Sequence, residues 1–257
     1  MRIILSFICL LVITFCSCQK VINVNLGSTP PAYVVVGNIT DQPGPYTVTI
    51  TKSVNFDQDN VFPGVHGATV YITDVTAGLT DTLSEFVTGM YQTHILTGTP
   101  GHVYKMNIIT SNQNFTATST MPQPVALDSV YTQTSIFGGD TDVVPMYKDP
   151  VGLGNFYHLL LTIEDSVSTE IYLHNDEISD GEEVKQPLRN NIKVLPGNTI
   201  TVELQCIDSG VYQYYNNLQQ TEQQNSATPA NPQSNVKGGA LGYFSAHTVR
   251  KKSITVH

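Results

Sequence analysis

Apolar and polar residues alternate with a period of two through the first half of the chain. Residues 46–51, for example, place Tyr, Val and Ile alternately with Thr, a pattern that predicts a strand with one buried and one solvent-facing side. Comparable runs separated by turn residues occur at 32–39, 68–74, 81–86, 90–95, 103–110 and 114–120. About seven short strands in about ninety residues predict an immunoglobulin-like or transthyretin-like sandwich. Within it, Tyr104 is predicted to be a corner tyrosine that ties the sheet edge to the loop before it.

A second β-rich part follows Pro122 and Pro124, which interrupt the alternation and mark the predicted domain boundary. Further strands are predicted at 127–134, 156–163, 170–174, 199–207, 241–249 and 253–256. One helix is predicted from the i, i+3, i+4, i+7 spacing of Val211, Tyr214, Tyr215 and Leu218, with Asp208 and Ser209 as caps. The predicted fold is therefore mainly β: a sandwich domain at 32–121, then a second β-rich domain at 125–257 with one amphipathic helix.

The N-terminus has the features of a signal peptide. Arg2 precedes the apolar run 3–15, and the small residue Ser17 precedes Cys18. The run is shorter than the ~20 apolar residues that span a bilayer, which disfavours a transmembrane helix. A cysteine directly after a small residue resembles a bacterial lipobox, in which that cysteine is acylated, and an ordinary secretory signal is the alternative. We therefore expect a lipoprotein signal peptide at 1–17 and a lipidated tether at 18–31, which could reach roughly 40 Å if extended.

The cysteines and the net charge indicate whether the chain forms a disulfide and how it attaches to a membrane. Signal cleavage would remove Cys9 and Cys16, so Cys206 has no disulfide partner if Cys18 carries lipid. Cys206 lies in the predicted strand 199–207, where we expect a buried thiol. With 21 acidic and 12 basic residues, the chain should repel nucleic acid and anionic lipid head groups, so its membrane attachment must come from the acyl chains rather than from a basic patch.

Six segments resemble a known family when they are taken in order. They are Gly44-Pro45-Tyr46-Thr47-Val48, Gly67-Ala68-Thr69-Val70-Tyr71-Ile72, Gly89-Met90-Tyr91, Leu127-Asp128-Ser129-Val130, Asp149-Pro150-Val151-Gly152 and the stretch 231–244. Together they are similar to a Bacteroidota lipoprotein family, the domain of unknown function DUF4249. The resemblance implies an outer-membrane lipoprotein, often encoded beside TonB-dependent transporters, and it supplies no catalytic residues. Acidic residues soon after the lipidated cysteine favour surface display in that phylum, but Gln19-Lys20 is followed by Val21 and Ile22, so the side of the membrane stays open.

Motifs for catalysis are missing from the sequence. It has no G-x-S-x-G elbow, H-E-x-x-H pair, phosphate-binding glycine loop or C-x-x-C, so we expect neither an enzyme nor a cofactor, and we assign no metal ligand. The acidic stretch 175–183 fails the EF-hand pattern because Ile178 and Pro187 stand at ligand positions. A solvated hairpin is the main interpretation of it, and weak cation binding through Asp176, Asp180 and Glu182, or by His174 with Asp176, is the alternative.

Two kinds of modification or docking site can be named. A short Asp-Ser/Thr-apolar pattern, similar to an O-glycosylation signal of the phylum, occurs at Thr82, Ser129 and Ser166. The polar segment 219–233 and the glycines after it predict a partner-binding surface, because glycines permit close approach of another backbone. Its candidate residues are Asn231, Pro232, Asn235, Gly238, Gly239, Tyr243 and Phe244, with the aromatic pair expected to be exposed. The alternative is a turn that starts the strand at Leu241, with Tyr243 and Phe244 packed against the helix of Tyr214 and Tyr215.

These features favour a non-catalytic outer-membrane lipoprotein, anchored through Cys18, that serves as an accessory or ligand-capture subunit of a TonB-dependent β-barrel transporter. A structural or adhesive envelope module and a surface hydrolase are the alternatives, since β-sandwiches host all three classes.

Overall fold

Three β-sheets and one α-helix make up the part of the chain that this computed structural model describes, residues 30–55, 58–135, 141–189, 192–223 and 231–256. Strands account for 49% and helix for 7% of it, which confirms the mainly β prediction. Residues 31–257 form one compact unit. The signal peptide, Cys18, most of the tether and residues 224–230 of the polar segment lie outside the described residues. Within the described ranges, no helix is long and apolar enough to cross a membrane.

The largest sheet has nine strands and runs through both halves of the chain. Its strands are β1 (Tyr33–Thr40), β2 (Thr47–Lys52), β5 (Ser84–Val87), β6 (Met90–Gln92), β11 (Phe156–Ile163), β12 (Ser166–Val167), β13 (Tyr172–Asn175), β15 (Thr199–Ile207) and β16 (Leu241–Thr255). They are ordered β12-β11-β15-β16-β1-β2-β6-β5, and β13 also pairs with β11. The central strand β16 is parallel to β1, with Val34 opposite Leu241, and antiparallel to β15.

Two smaller sheets cover one face of this large sheet. One has four strands, in the order β4 (Leu79–Thr82), β3 (Thr69–Asp74), β7 (Val103–Ile109), β8 (Asn114–Thr120), and the other has three, in the order β14 (Glu183–Lys185), β10 (Thr141–Lys148), β9 (Ser129–Thr134). Val35 of β1 and Met106 of β7 belong to one buried apolar cluster. Leu204 of β15 and Tyr147 of β10 belong to a second. Each cluster thus fills the space between the large sheet and one small sheet.

The predicted division of the chain at 121–125 stays a prediction, but β16 joins its two parts. Phe244 and Ala246, which fall in the predicted second domain, belong to the first apolar cluster. β16 also pairs with a strand from each half of the chain, because it lies between β1 and β15.

Strand boundaries were predicted well where turns or charges bracket a run and less well elsewhere. β8, β11 and β15 have the predicted bounds. The single strand predicted at 81–86 is wrong, since β4 and β5 belong to different sheets and are separated at Leu83. The two strands predicted at 241–249 and 253–256 are one strand, β16. β10 was missed because it contains Pro145 and because four consecutive residues, 142–145, are buried, so the period of two is lost.

The predicted helix is α1 (Ser209–Gln223), and Asp208 caps its start. Asp208 Oδ1 accepts the Val211 N–H at 2.9 Å, the bond expected of an N-cap carboxylate. Its other oxygen, Oδ2, accepts the Ser119 hydroxyl and, at 3.1 Å, the Thr120 N–H. One carboxylate therefore both begins the helix and fixes it to the end of β8.

Two further predictions from the sequence are confirmed. The Tyr104 hydroxyl accepts the backbone N–H of Thr99 at 2.7 Å, which ties β7 to the preceding loop. Cys206 is a free thiol that is 3% exposed, and its burial raises its pKa.

Candidate functional site

The aromatic residues of α1 pack on one face of β16. Tyr215 donates its hydroxyl hydrogen to the Tyr243 hydroxyl at 2.7 Å, and the Tyr214 ring lies 5.0 Å from the Tyr243 ring. Burial raises the pKa of both helix tyrosines. Phe244, the next residue along the strand, points to the opposite face and is fully buried in the first apolar cluster. The expected exposure of the aromatic pair is therefore wrong for Phe244, because neighbouring strand residues face opposite sides.

The segment before β16 is held by contacts within the chain. The Asn235 side chain accepts the Phe244 N–H at 2.9 Å and donates to its carbonyl at 2.8 Å. Lys237 exchanges two backbone hydrogen bonds with Thr116 of β8, at 2.7 and 3.1 Å. A Cβ on Gly238 would lie 2.4 Å from the Asn114 carbonyl oxygen. The close backbone approach expected at this glycine exists, and the backbone is that of β8.

The remaining predicted partner residues are more accessible. Asn231 and Gly239 are exposed, and Pro232 and Tyr243 are partly buried. Gly239 has φ +87° with open space around it, a conformation that favours glycine. Binding of a partner by this segment stays a prediction. Its exposed candidates are Asn231, Gly238 and Gly239, and Pro232, Asn235 and Tyr243 are partly buried.

Polar side chains are buried between α1 and the large sheet. The His158 ring stacks on Tyr215 at 4.2 Å, and its Nδ1 lies 3.0 Å from Gln205 Oε1. His247 Nδ1 lies 2.9 Å from the Ser245 hydroxyl. Burial lowers the pKa of both imidazoles, that of His247 to about 4. Both rings are therefore neutral near pH 7, and the stacking of His158 on Tyr215 helps to hold the helix on the sheet.

An open cleft lies where the end of β1 meets β16. It has a volume of about 480 Å³ and is lined by Asp41, Gln42, Val249, Arg250 and Lys251. Arg250 Nη1 lies 2.6 Å from Asp41 Oδ2. Burial works to raise the pKa of Asp41, but hydrogen bonds from Arg250 and the Val249 N–H outweigh it and lower that pKa. Asp41 and Arg250 are thus paired with each other, and Lys251, the third charged residue of the lining, pairs with Glu203 at 2.8 Å.

Residues 149–155 and 176–183, which we call the acidic loop pair, bring three carboxylates together. One oxygen each of Asp149, Asp176 and Asp180 lies within 4.8 Å of the others. Of the three ligands considered for a cation in the sequence, Asp176 and Asp180 are at this point, while Glu182 contributes its backbone carbonyl to the Asp149 N–H at 3.0 Å. Asp149 was not considered, because it is 27 residues from Asp176 in sequence and the pairings of β11 with β13 and of β10 with β14 bring the two loops together.

Hydrogen bonds already occupy these carboxylates. Asp149 accepts the Tyr157 hydroxyl and, at 3.1 Å, the Gly181 N–H. Asp176 Oδ2 accepts the Asn155 N–H at 2.9 Å. Backbone N–H donors hold the pKa of Asp176 low even though burial works to raise it. The three carboxylates offer oxygen ligands. Within the described residues, their hydrogen bonds connect the two loops to each other.

The other residues singled out in the sequence are dispersed. His174 Nε2 lies 2.8 Å from the Ser179 hydroxyl, and its ring stacks on Tyr157. Thr82 and Ser166 are exposed and Ser129 is partly buried, in three different strands. The structure does not bring the glycosylation candidates together with either the acidic loop pair or the segment 231–244.

Comparison with known proteins identifies the family of this chain. The chain matches the family described as domain of unknown function DUF4249 over residues 19–253. It belongs to the DUF4249 family. No curated protein matches this chain significantly. The DUF4249 match includes α1, the acidic loop pair and all three sheets except the last two residues of β16, so the elements described above belong to the family's own domain.

Proposed function

We propose that this DUF4249 protein is a non-catalytic outer-membrane lipoprotein that acts as an accessory or ligand-capture subunit of a TonB-dependent transport system. The observation that carries the proposal is the N-terminal sequence, in which Ser17-Cys18 ends a short apolar run that begins after Arg2. An acylated Cys18 gives stable attachment, because each buried CH₂ contributes ~0.8 kcal/mol and two or more chains are added.

Support for an accessory role comes from the family resemblance rather than from site chemistry. The resemblance implies genes beside TonB-dependent transporters, and a subunit that docks on a barrel needs a rigid domain with accessible loops. The continuous nine-stranded sheet supplies such a domain. Asn231, Pro232 and Gly239 lie at its accessible surface.

Fractionation tests the anchor. Cys18→Ala should move the protein from the outer-membrane fraction to the soluble periplasmic fraction, and Cys206→Ala serves as the matched control because it removes the buried thiol only. Unchanged membrane fractionation of Cys18→Ala would exclude lipid anchoring at this residue.

Affinity purification from native membranes tests the role. Wild-type protein should co-purify with a TonB-dependent barrel. If the segment 219–244 is the interface, replacing residues 224–230 by a Gly/Ser sequence of the same length should reduce the amount of barrel recovered. A wild-type purification that contains no barrel would exclude the transport role and leave the structural or adhesive alternative. Retention of the barrel by the replaced variant would exclude this segment only.

A further inference from the structure

The negative charge of the chain is concentrated in one region. Of the 21 acidic residues, nine fall within residues 149–183, which contain no Lys or Arg, whereas the remaining sequence has 12 acidic and 12 basic residues. Six of the nine lie in the acidic loop pair: Asp149, Asp176, Glu177, Asp180, Glu182 and Glu183. Glu183 pairs with Lys185, and the described part of the chain has no ion pair to the exposed residues Glu177, Asp180 and Glu182. The excess charge of the whole molecule therefore lies largely at this end of β11 and β13.

The same two loops expose large apolar side chains. Val151 is 87%, Leu153 72% and Ile178 97% exposed. A single exposed apolar residue needs no explanation, but three on adjoining loops form a patch of the kind that marks an interaction site. Val151 packs beside Gly181, where an added Cβ would lie 2.9 Å from Val151 Cγ2, so this side chain of the first loop lies against the second loop.

Hydrogen bonds hold these loops in place. The Gly152 N–H donates to Asp180 Oδ1 at 2.6 Å, and Asn155 Nδ2 donates to the Gly152 carbonyl at 2.7 Å. Leu153 is thereby presented between Gly152 and Gly154, which have φ of +118° and +111°. An ordered loop loses little conformational entropy when it binds. The carboxylates of the site thus serve to present the apolar side chains at a fixed position.

We propose that the acidic loop pair is a docking surface for a protein partner whose own surface has an apolar pocket surrounded by Lys and Arg. Val151, Leu153 and Ile178 enter the pocket, and Glu177, Asp180 and Glu182 face the basic rim. Apolar anchors with a complementary charged rim are the usual composition of a specific interface. This inference rests on the proposed function in one respect, namely that the lipoprotein works on a neighbouring membrane protein.

Charge also decides between this partner and two other occupants. In a symmetric pair of identical chains the same patch would face itself, so Glu177 and Glu182 of both copies would repel each other. Anionic lipid head groups would be repelled for the same reason, because the two loops contain acidic residues and no Lys or Arg. A basic protein surface is the occupant that satisfies both the apolar and the acidic side chains.

Site-specific photocrosslinking in the native cells tests the proposal. A photoreactive amino acid replaces Ile178 in the full-length lipoprotein, and the same amino acid at Val167, which is 60% exposed beside the opposite end of β11, is the matched control. Mass spectrometry identifies the crosslinked partner and the residue attached. We expect crosslinks from position 178, and not from 167, to a protein segment with Lys or Arg among the adjacent surface residues.

Charge reversal supplies the second arm. Glu177→Lys should lower the crosslink yield from position 178 by about fivefold or more, whereas Asp165→Lys, an equal charge change at an exposed residue beside the opposite end of β11, should leave it unchanged. Changing the nearest basic residue of the partner to Glu should restore the yield with Glu177→Lys.

Several results would overturn the proposal. They are equal yields from positions 178 and 167, crosslinks to lipid or to a second copy of the chain, and a partner segment without basic residues. If the affinity purification recovers a transporter barrel but position 178 does not crosslink, this inference fails and the proposed function stands. If neither experiment finds a partner, both fail.

Discussion

Asp208 is the residue whose removal best tests the described packing, because one carboxylate serves both α1 and β8. Asp208→Ala removes the N-cap bond to Val211, which costs about 1 kcal/mol. It also removes the hydrogen bonds from Ser119 and Thr120 to a charged acceptor, which contribute about 2 kcal/mol. Ser119 is 1% exposed, so water cannot replace the lost partner of its hydroxyl.

The sum for Asp208→Ala is about 3 kcal/mol, and a chain of this size loses about 2–4 °C in Tm per kcal/mol, so Tm should fall by about 6–12 °C. Asp208→Ser separates the two contributions, because a serine caps the helix but does not reach β8. It should lose about 2 kcal/mol, the contribution of the bonds to a charged acceptor alone. Urea unfolding and calorimetry of the three proteins measure both differences. A Tm of Asp208→Ala within about 2 °C of wild type, or equal losses for the Ala and Ser variants, would refute this account of the residue.

Two other properties can be checked directly. Cys206 should react with a maleimide only in denaturant, since burial both hinders access and raises the thiol pKa, and rapid labelling of the native protein would contradict its placement. Stability should fall as the pH is lowered from about 6.5 to 4, because the folded-state pKa of His247 is about 4 against 6.5 for an unperturbed imidazole, so the unfolded chain binds the proton first. The loss from this group is about 3 kcal/mol at most, with His158 acting in the same direction. Urea unfolding at successive pH values should show that the unfolding free energy of His247→Asn depends less steeply on pH than that of the wild type. An unchanged pH dependence would refute the assignment.

The periodicity of apolar residues was sufficient to predict the elements that have one solvent-exposed face and one buried face. β8 alternates apolar residues with Thr, and α1 repeats its aromatic residues at helical spacing after Asp208, so these elements were predicted with their bounds or cap. β16 is different, because the six residues 244–249 are all buried. Where both faces of a strand are covered, alternation no longer distinguishes them. Phe244 was expected at the surface because it follows Gly238 and Gly239 and the polar segment 219–233.

The acidic loop pair was beyond prediction for a related reason. The sequence showed an acidic stretch at 175–183, but the convergence of Asp149 with Asp176 depends on the antiparallel register of β11 and β13. The exposure of Val151 and Leu153 depends on the same loop closure. Pairings between strands are tertiary facts, and no local propensity encodes them.

The parallel pairing of β1 with β16 has a consequence for the order of folding. The paired residues Val34 and Leu241 are 207 positions apart, so most of the chain must be made before this contact can form. Until then β1 has an open edge with unpaired N–H and C=O groups, and the first apolar cluster lacks Phe244 and Ala246. Contacts of such long sequence separation slow folding, since the chain entropy is lost before the contact is gained. A partly synthesised chain therefore cannot complete its central sheet, and the final assembly of both halves awaits a single late strand.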